Sequence, residues 1–262
     1  MIGNTDAYWF RSMKIDNLSF PEFLSKVDEG IERGSYVCFV EASSVALANR
    51  DQELMTALND SFMSLPDGMP LVWFSRLLGS RKMVRMPGPE VFRDFVENRG
   101  KYRQFLVGDT PERIQAVIDK ATEVNPALQI SGYSPPFRRE LSEEDNAAII
   151  DRIRAEAPDI IWVALGLVKQ AKWMHKMAPR LDRGIMMGVG AALKFYTGEI
   201  PTPPLILQKA GLHWVSRMVD KPRSFFTEII PARIKFMLYF PAEIIRESMR
   251  RRSRPSSRRR GL

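Results

Sequence analysis

Asp159-Ile160-Ile161-Trp162-Val163-Ala164-Leu165-Gly166 carries six consecutive apolar residues between an acid and a glycine. A run of that length, unbroken by polar residues, reads as a strand covered on both faces, the pattern of a parallel sheet. Its neighbours have the same form. Tyr36-Val37-Cys38-Phe39-Val40, Gln104-Phe105-Leu106-Val107-Gly108, 128–133 and Ile185-Met186-Met187-Gly188-Val189-Gly190 read as further strands. Helical patterns lie between them. Apolar spacing at Phe23, Leu24, Val27 and Ile31 predicts a helix stopped by Gly34. Others are expected over 51–59, 71–78, 91–96, 143–157 and 169–177. Asp109-Thr110-Pro111-Glu112 is a helix start, a cap followed by proline in the first turn. Strands alternating with helices at this spacing predict an α/β fold with a mostly parallel sheet. Residues 41–44 read as a loop, and 1–18 show mixed polarity and weak periodicity. No internal repeat is evident.

Ser64-Leu65-Pro66-Asp67-Gly68-Met69-Pro70 joins an apolar segment to a helical one. Pro70 suits the first helical position, and Gly79 the stop. Asp67 therefore sits at a strand-to-helix turn, where open α/β sheets line their ligand crevice. A carboxylate there can serve as a general base. Asp is also an ordinary turn-former and cap, and the turn alone leaves both readings open. Other strand ends carry small or polar residues: Arg85, Gly108-Asp109, 166–170 and Gly188-Val189-Gly190. Glycines admit close approach of backbone to a phosphate or sugar. Gly-Val-Gly alone equally fits a packing turn, because it lacks the full dinucleotide fingerprint.

The 262 residues suffice for one large domain or two small ones, with ordinary proportions of apolar (45%) and charged (27%) residues. One cysteine, Cys38, excludes an intrachain disulfide, and with two histidines it leaves no set for a structural zinc. Cys38 lies in an apolar run and is expected in the core; His175 and His213 are expected in packing or surface roles, and Trp73, Trp162, Trp173 and Trp214 mostly in the core. Residues 1–9 show no basic segment followed by an apolar one, so no signal peptide is expected. No apolar run approaches the roughly 18 residues of a membrane span.

The net charge of +8 is local. Of 39 basic and 31 acidic residues, eight and one fall within 246–262, leaving the remainder close to neutral. Ahead of this cluster, 225–245 is apolar with interspersed cations and is interrupted by Pro231 and Pro241. An apolar helix followed by arginines fits docking on an anionic membrane, each arginine contributing on the order of 1 kcal/mol. A core-packing helix with a solvated tail is the alternative. Nucleic acid is not the expected partner, because no aromatic residue follows Phe240.

The motifs PDGMPLVW (66–73), RMPGPEVF (85–92), FLVGDTPE (105–112), SGYSPPFR (131–138), DIIWVALG (159–166) with KQ (169–170), GVGAALKF (188–195), and GLHWVSRM (211–218) with KPR (221–223) resemble, in order and spacing, the WecG/TagA/CpsF family of bacterial glycosyltransferases. The resemblance covers roughly 20–225. It implies a Rossmann-like catalytic domain over 1–200, a helical C-terminal appendage over 201–245 and a basic, disordered tail over 246–262. It also implies an inverting, metal-independent enzyme, without cofactor, of cell-envelope polysaccharide synthesis. Such an enzyme moves an N-acetylmannosamine-type sugar from a UDP donor to a lipid-diphosphate-linked saccharide, at the cytoplasmic face of the membrane. The oligomeric state stays open, a homo-oligomer included. Carried over residue by residue, Asp67 matches the base. Arg85, Gln170, Gly188 and Gly190 fall at donor-binding positions. Arg217 matches an arginine facing the diphosphate, and Arg223 lies near a second.

The chain departs from the family pattern. Family acids are replaced by Ala171 and Lys194, and a polar Thr/Asn loop by Glu41-Ala42-Ser43. A changed substrate, or a weakened member that binds sugar nucleotides or acts as a membrane scaffold, would each account for this.

Overall fold

The computed structural model describes residues 7–79, 82–138, 140–201 and 230–253. Six strands form one parallel sheet: β3 (Ser35–Val40), β4 (Met63–Pro66), β5 (Gln104–Gly108), β6 (Ile130–Tyr133), β7 (Ile160–Ala164) and β8 (Ile185–Gly188), in the order β4-β3-β8-β7-β5-β6. The apolar run around Trp162 is the fourth strand of this sheet, in parallel register with β5 and β8 on its two sides. Alternation along the strands builds two cores. Cys38, Val40, Phe105, Val107, Ile161, Val163 and Met186 face one layer, while Val37, Phe39, Leu106, Trp162 and Met187 face the other.

The second layer holds α1 (Phe20–Ile31), α5 (Gly88–Asn98), α6 (Pro111–Val124) and α9 (Ala192–Thr197). The first holds α2 (Ala42–Ala48), α3 (Gln52–Asn59), α4 (Met69–Leu77), α7 (Glu143–Glu156) and α8 (Leu167–Met177). Their starts follow from local chemistry. Ser19 with Glu22, and Ser142 with Asp145, close capping boxes on α1 and α7; Thr110 caps α6 ahead of Pro111. Inside, Trp162 Nε1 donates to Gln104 Oε1 (2.7 Å), and Gln104 Nε2 donates to the Phe95 carbonyl (3.0 Å), so these two buried side chains are paired.

Several elements differ from the sequence expectation. Residues 8–15 form a hairpin, β1 (Tyr8–Phe10) and β2 (Met13–Ile15). Its strands are too short to show a period, and tertiary packing fixes them: Phe10 is stacked on Phe236 with ring centroids 4.3 Å apart. Residues after Glu41 form a helix rather than a loop, closed by a capping box between Glu41 and Ser44. Pro70 is the second residue of α4, after Met69, and Gly68 caps it. Trp73 is exposed, whereas Trp162 and Trp173 are buried. Cys38 is buried and His175 pairs with the Tyr36 hydroxyl (3.1 Å), both as expected.

At the C-terminus a single helix, α10 (Ile230–Ser253), runs through Pro241. That proline has no N–H for the carbonyl of Met237, a residue on the exposed face, so the break in the ladder stays local. The helix takes in 246–253, so this part of the expected disordered tail is helical. Phe236, Phe240, Glu243 and Glu247 fall on one side of α10, and there Phe236 and Phe240 pack against Phe10 and Phe74. Ile234, Met237, Leu238, Ile245 and Met249 line the opposite side, exposed. Among the described residues no helix is long and apolar enough to cross a membrane.

Candidate active site

The C-terminal ends of β4, β3, β8 and β7 carry most of the residues singled out in the sequence. Val40 and Pro66 are register partners on adjacent strands, so the residues after them, Glu41 and Asp67, leave the sheet side by side. The Asp67 N–H donates to the Val40 carbonyl (2.8 Å), which extends the ladder by one bond and fixes Asp67 at the strand end. Gly68 then turns into α4. A methyl group on Gly68 would meet Glu41 Cβ at 3.7 Å, so these two loops touch.

The Arg85 loop is attached to the same edge. The Met86 N–H donates to the Pro66 carbonyl (2.8 Å), placing residue 85 beside the Asp67 turn. Arg85 is 15% exposed, and its Nη2 donates to Glu90 Oε1 at 2.6 Å. Glu90 lies in the first turn of α5, where a carboxylate is favoured by the helix dipole. Arg85 is therefore held from one side by an acid that belongs to its own loop-helix unit.

Gly188-Val189-Gly190 continues β8, and Val189 N–H donates to the Val163 carbonyl (3.0 Å). Gln170 lies under this turn. Only 4% of Gln170 is exposed, and its Oε1 accepts from Gly190 N–H at 3.0 Å. A Cβ on Gly188 would come within 2.7 Å of Met174 Cε and 3.0 Å of Gln170 Nε2. Gly190 has φ +56°, in the left-handed region that a glycine occupies without strain. Gln170 thus props the turn from below. The N-terminus of α5 closes over the other side, with Gly88 within ordinary contact of Phe39 and Val189.

A second crevice opens beside it. The chain leaves β5 towards β6 and leaves β7 towards β8, so the direction of winding reverses between β5 and β7, where open sheets bind ligands. Gly108 there lies so close to the Ala164 carbonyl that a Cβ would sit 2.7 Å from it. Asp109 follows, paired with Arg113, and its carbonyl accepts from Ser134 Oγ at 2.5 Å. Lys169, at the start of α8, donates to the Arg138 carbonyl (2.7 Å), and desolvation pushes its ammonium below the usual lysine range. A cation with weakened hydration at this rim is suited to an anionic ligand.

The structure therefore places Asp67 and Arg85 at the end of β4, and Gly188 and Gly190 with Gln170 at the end of β8, the two groups separated by β3. Arg217 and Arg223 lie outside the described residues, as do His213 and Trp214. Glu41 and Glu90 join the site without having been assigned a part. Glu90 stands inside the quoted RMPGPEVF motif; the signal was its place in the first turn of a helix beginning at Gly88. Glu41 was hidden by its reading as loop. It is buried, and Ser43 Oγ donates to its Oε1 at 2.7 Å. Ala171 is 2% exposed in the core beside Trp173 and Met174, whereas Lys194 is half-buried on α9.

Among the described residues no three His, Cys, Asp or Glu side chains form a group able to hold a metal ion. The arrangement offers carboxylates, a guanidinium and a glycine turn at the ligand-binding end of a parallel sheet, the elements needed to deprotonate a hydroxyl and hold an anionic leaving group.

The chain resembles known glycosyltransferases. The chain is 28% identical over 208 residues, 78% of each protein, to the N-acetylglucosaminyldiphosphoundecaprenol N-acetyl-beta-D-mannosaminyltransferase of Bacillus subtilis. It is 24% identical over 192 residues, 72% of this chain and 73% of the relative, to the Bacillus spizizenii protein of the same name. The family model described as "Glycosyl transferase WecG/TagA/CpsF family" matches residues 9–254, and the chain belongs to that family.

Proposed function

We propose that the protein transfers an N-acetylmannosamine-type sugar from a UDP donor to a lipid-diphosphate-linked saccharide, with inversion and without a metal ion. The observation that carries this reading is the placement of Asp67 at the end of β4, with the Arg85 loop bonded to the same strand end. The sugar and the lipid-diphosphate class of acceptor follow those named for the Bacillus relatives. Asp67 takes the proton from the acceptor hydroxyl. The oxygen attacks the anomeric carbon as the bond to UDP breaks on the opposite face, and the electron pair leaves with the diphosphate. Arg85 and the turn that Gln170 supports, Gly188 to Gly190, hold the donor. Arg217 and Arg223 neutralise the diphosphate, where guanidinium groups match phosphate oxygens geometrically.

The same reading places the protein peripherally on the cytoplasmic face of the membrane. The exposed apolar side of α10 supports it: Ile234, Met237, Leu238, Ile245 and Met249 lie opposite the face packed on the body. Trp73 and Leu77, exposed on the neighbouring α4, add apolar surface. Arginines at 246 and 250–252 continue the helix and suit an anionic surface.

The test is sugar transfer from a panel of UDP-sugars to a lipid-diphosphate-linked N-acetylglucosamine in anionic liposomes, with wild type and Asp67→Asn side by side. Transfer by the wild type, lost in a folded Asp67→Asn, is the expected result. Full activity in Asp67→Asn removes the assigned base. Binding of UDP-sugar without turnover by the wild type favours the second reading, a weakened member acting as a scaffold, to which Ala171 and Lys194 point.

A further inference from the structure

Away from the strand ends, a cavity of about 230 Å³ lies between α2, the β1–β2 turn and α10. Phe10, Ala42, Val45, Ala46 and Phe236 make its apolar wall, while Arg11, Arg50, Asn49 and Tyr239 make its polar side. We propose that it binds the phosphate head of an anionic membrane lipid, with the start of the lipid's chain against the apolar wall.

The turn itself is the first argument. Phe10 and Met13 are paired, so Arg11 and Ser12 form a two-residue hairpin loop. Both have positive φ, +46° and +68°. Such loops ordinarily use Asn or Gly, because a side chain is strained there. The surroundings hold the strained form: Asn59 Nδ2 donates to the Ser12 carbonyl and Asn59 Oδ1 accepts from Lys14 N–H, both at 2.8 Å. Strain kept by its surroundings points to a use for the side chain it presents.

The second argument is charge. The Arg11 guanidinium lies 4.1 Å from the centre of the Tyr239 ring, and its Nε is shut from solvent with no hydrogen-bond partner among the described residues. Arg50 is exposed and also lines the cavity. Among the described residues neither guanidinium has a carboxylate partner within ion-pair distance. Glu243 accepts the Arg11 backbone N–H at 3.3 Å and pairs with Arg246 at 2.6 Å, so its charge is already matched. A phosphate in the cavity would supply the two guanidinium groups with a counter-charge.

The third is position. The cavity borders α10, whose far side is the exposed apolar stripe. It also lies along α2, a helix of seven residues, or roughly 10 Å, that starts beside Glu41. This is a site separate from the Asp67 edge, and it requires none of the transfer chemistry.

The test is calorimetric titration of the full chain with dihexanoyl phosphatidylglycerol below its micelle concentration, with dihexanoyl phosphatidylcholine and inorganic phosphate as comparisons. Saturable binding of the phosphatidylglycerol, at least about tenfold tighter than either comparison, is the expected outcome. Arg50→Gln should weaken it by about tenfold, the loss of one charge-assisted hydrogen bond. Ala46→Trp should abolish it by filling the space without changing any charge. Arg11 also docks on Tyr239, so Arg11→Gln is read only beside the melting temperature. Wild-type affinity in both Arg50→Gln and Ala46→Trp overturns the proposal. So does equal affinity for inorganic phosphate, which would make this a free-anion site, or for phosphatidylcholine, which would leave the arginines without a part. Should Ala46→Trp fail to fold, Arg50→Gln decides, because that side chain lies on the surface. Transfer by the wild type to an acceptor in detergent measures the Asp67 reading independently.

Discussion

Gln170 offers the sharpest test of how the strand edge is built. Its Oε1 takes the Gly190 N–H, and its amide nitrogen lies where a Gly188 side chain would have been. Replacing it with Met keeps the volume and removes the acceptor. A buried N–H without a partner costs about 1–3 kcal/mol. Replacing it with Ala removes the volume too, and the cavity left beside Met174 adds roughly 1 kcal/mol more. At about 2–4 °C per kcal/mol for a domain of this size, Gln170→Met should melt roughly 2–12 °C below wild type, and Gln170→Ala lower still. Scanning calorimetry reads these shifts. Kinetics separate positioning from direct contact. A turn that has lost its prop still binds the donor but no longer aligns it for attack, so the transition state loses more than the bound donor: kcat should fall in both variants and saturating donor should not restore it. A Gln170→Met protein with wild-type stability and kcat, altered only in the KM for the donor, would refute this account. It would show Gln170 to be a donor ligand and the Gly190 bond to be incidental.

Four further outcomes follow from the same geometry. Glu90→Gln weakens the 2.6 Å pair that orients Arg85; the KM for the donor should rise several-fold while stability changes by no more than about 1 kcal/mol, the range of a partly exposed pair. Phe236→Ala removes a buried ring stacked on Phe10; it should cost about 2–4 kcal/mol and speed hydrogen exchange selectively over 230–253, leaving β7 and β8 protected. Burial pushes the Cys38 thiol up to about 12, so an aromatic disulfide reagent at pH 8 should leave it unreacted until urea unfolds the chain. Burial raises the Asp16 carboxyl above its ordinary value despite Lys14 nearby; its contribution is full below the unfolded pKa near 3.8 and is lost as pH rises through the folded value, so Asp16→Asn should gain on wild type in melting temperature from pH 4 upward.

The architecture was legible where burial is two-sided. β7 and its neighbours are apolar on both faces because helices cover both, and that pattern does not depend on distant residues. Helix starts were legible because caps are local. What escaped was decided at a distance. The β1–β2 hairpin is three residues on each side and owes its place to Phe74 and α10, more than sixty and two hundred residues away. α2 begins with Glu41-Ala42-Ser43-Ser44, a polar start that reads as loop until the capping box between Glu41 and Ser44 is seen. Of the site, Asp67 was legible from its turn, and Arg85 from the motif that contains it. The support given by Glu90 and Gln170 was not, since a side chain's partner across a loop leaves no period in the sequence.

The burial of Ala171 changes what its departure from the family pattern can mean. Gln170, Ala171, Met174 and Met177 form the inward face of α8, and Ala171 is 2% exposed in the cluster that also holds Trp173. A glutamate introduced there would meet a packed core, where an unpaired carboxylate costs several kcal/mol and the added volume a further 1–3 kcal/mol. Ala171→Glu alone should therefore destabilise the protein rather than restore a missing function. Lys194 is different: it is half-buried on α9, four residues past Gly190, and its charge acts on Glu199. Of the two departures, only the one at 194 leaves a charge outside the core, and that charge is positive. In the same chain Glu41 places a carboxylate at the neighbouring strand end, against the Asp67 turn. Altered ligand selection, as against decay of the site, would act through these two charges. The discriminating comparison is Glu41→Gln against Lys194→Gln across a donor panel. Altered selection requires the two variants to change the ranking of donors. A uniform fall for every donor would assign both residues to the stability of the edge.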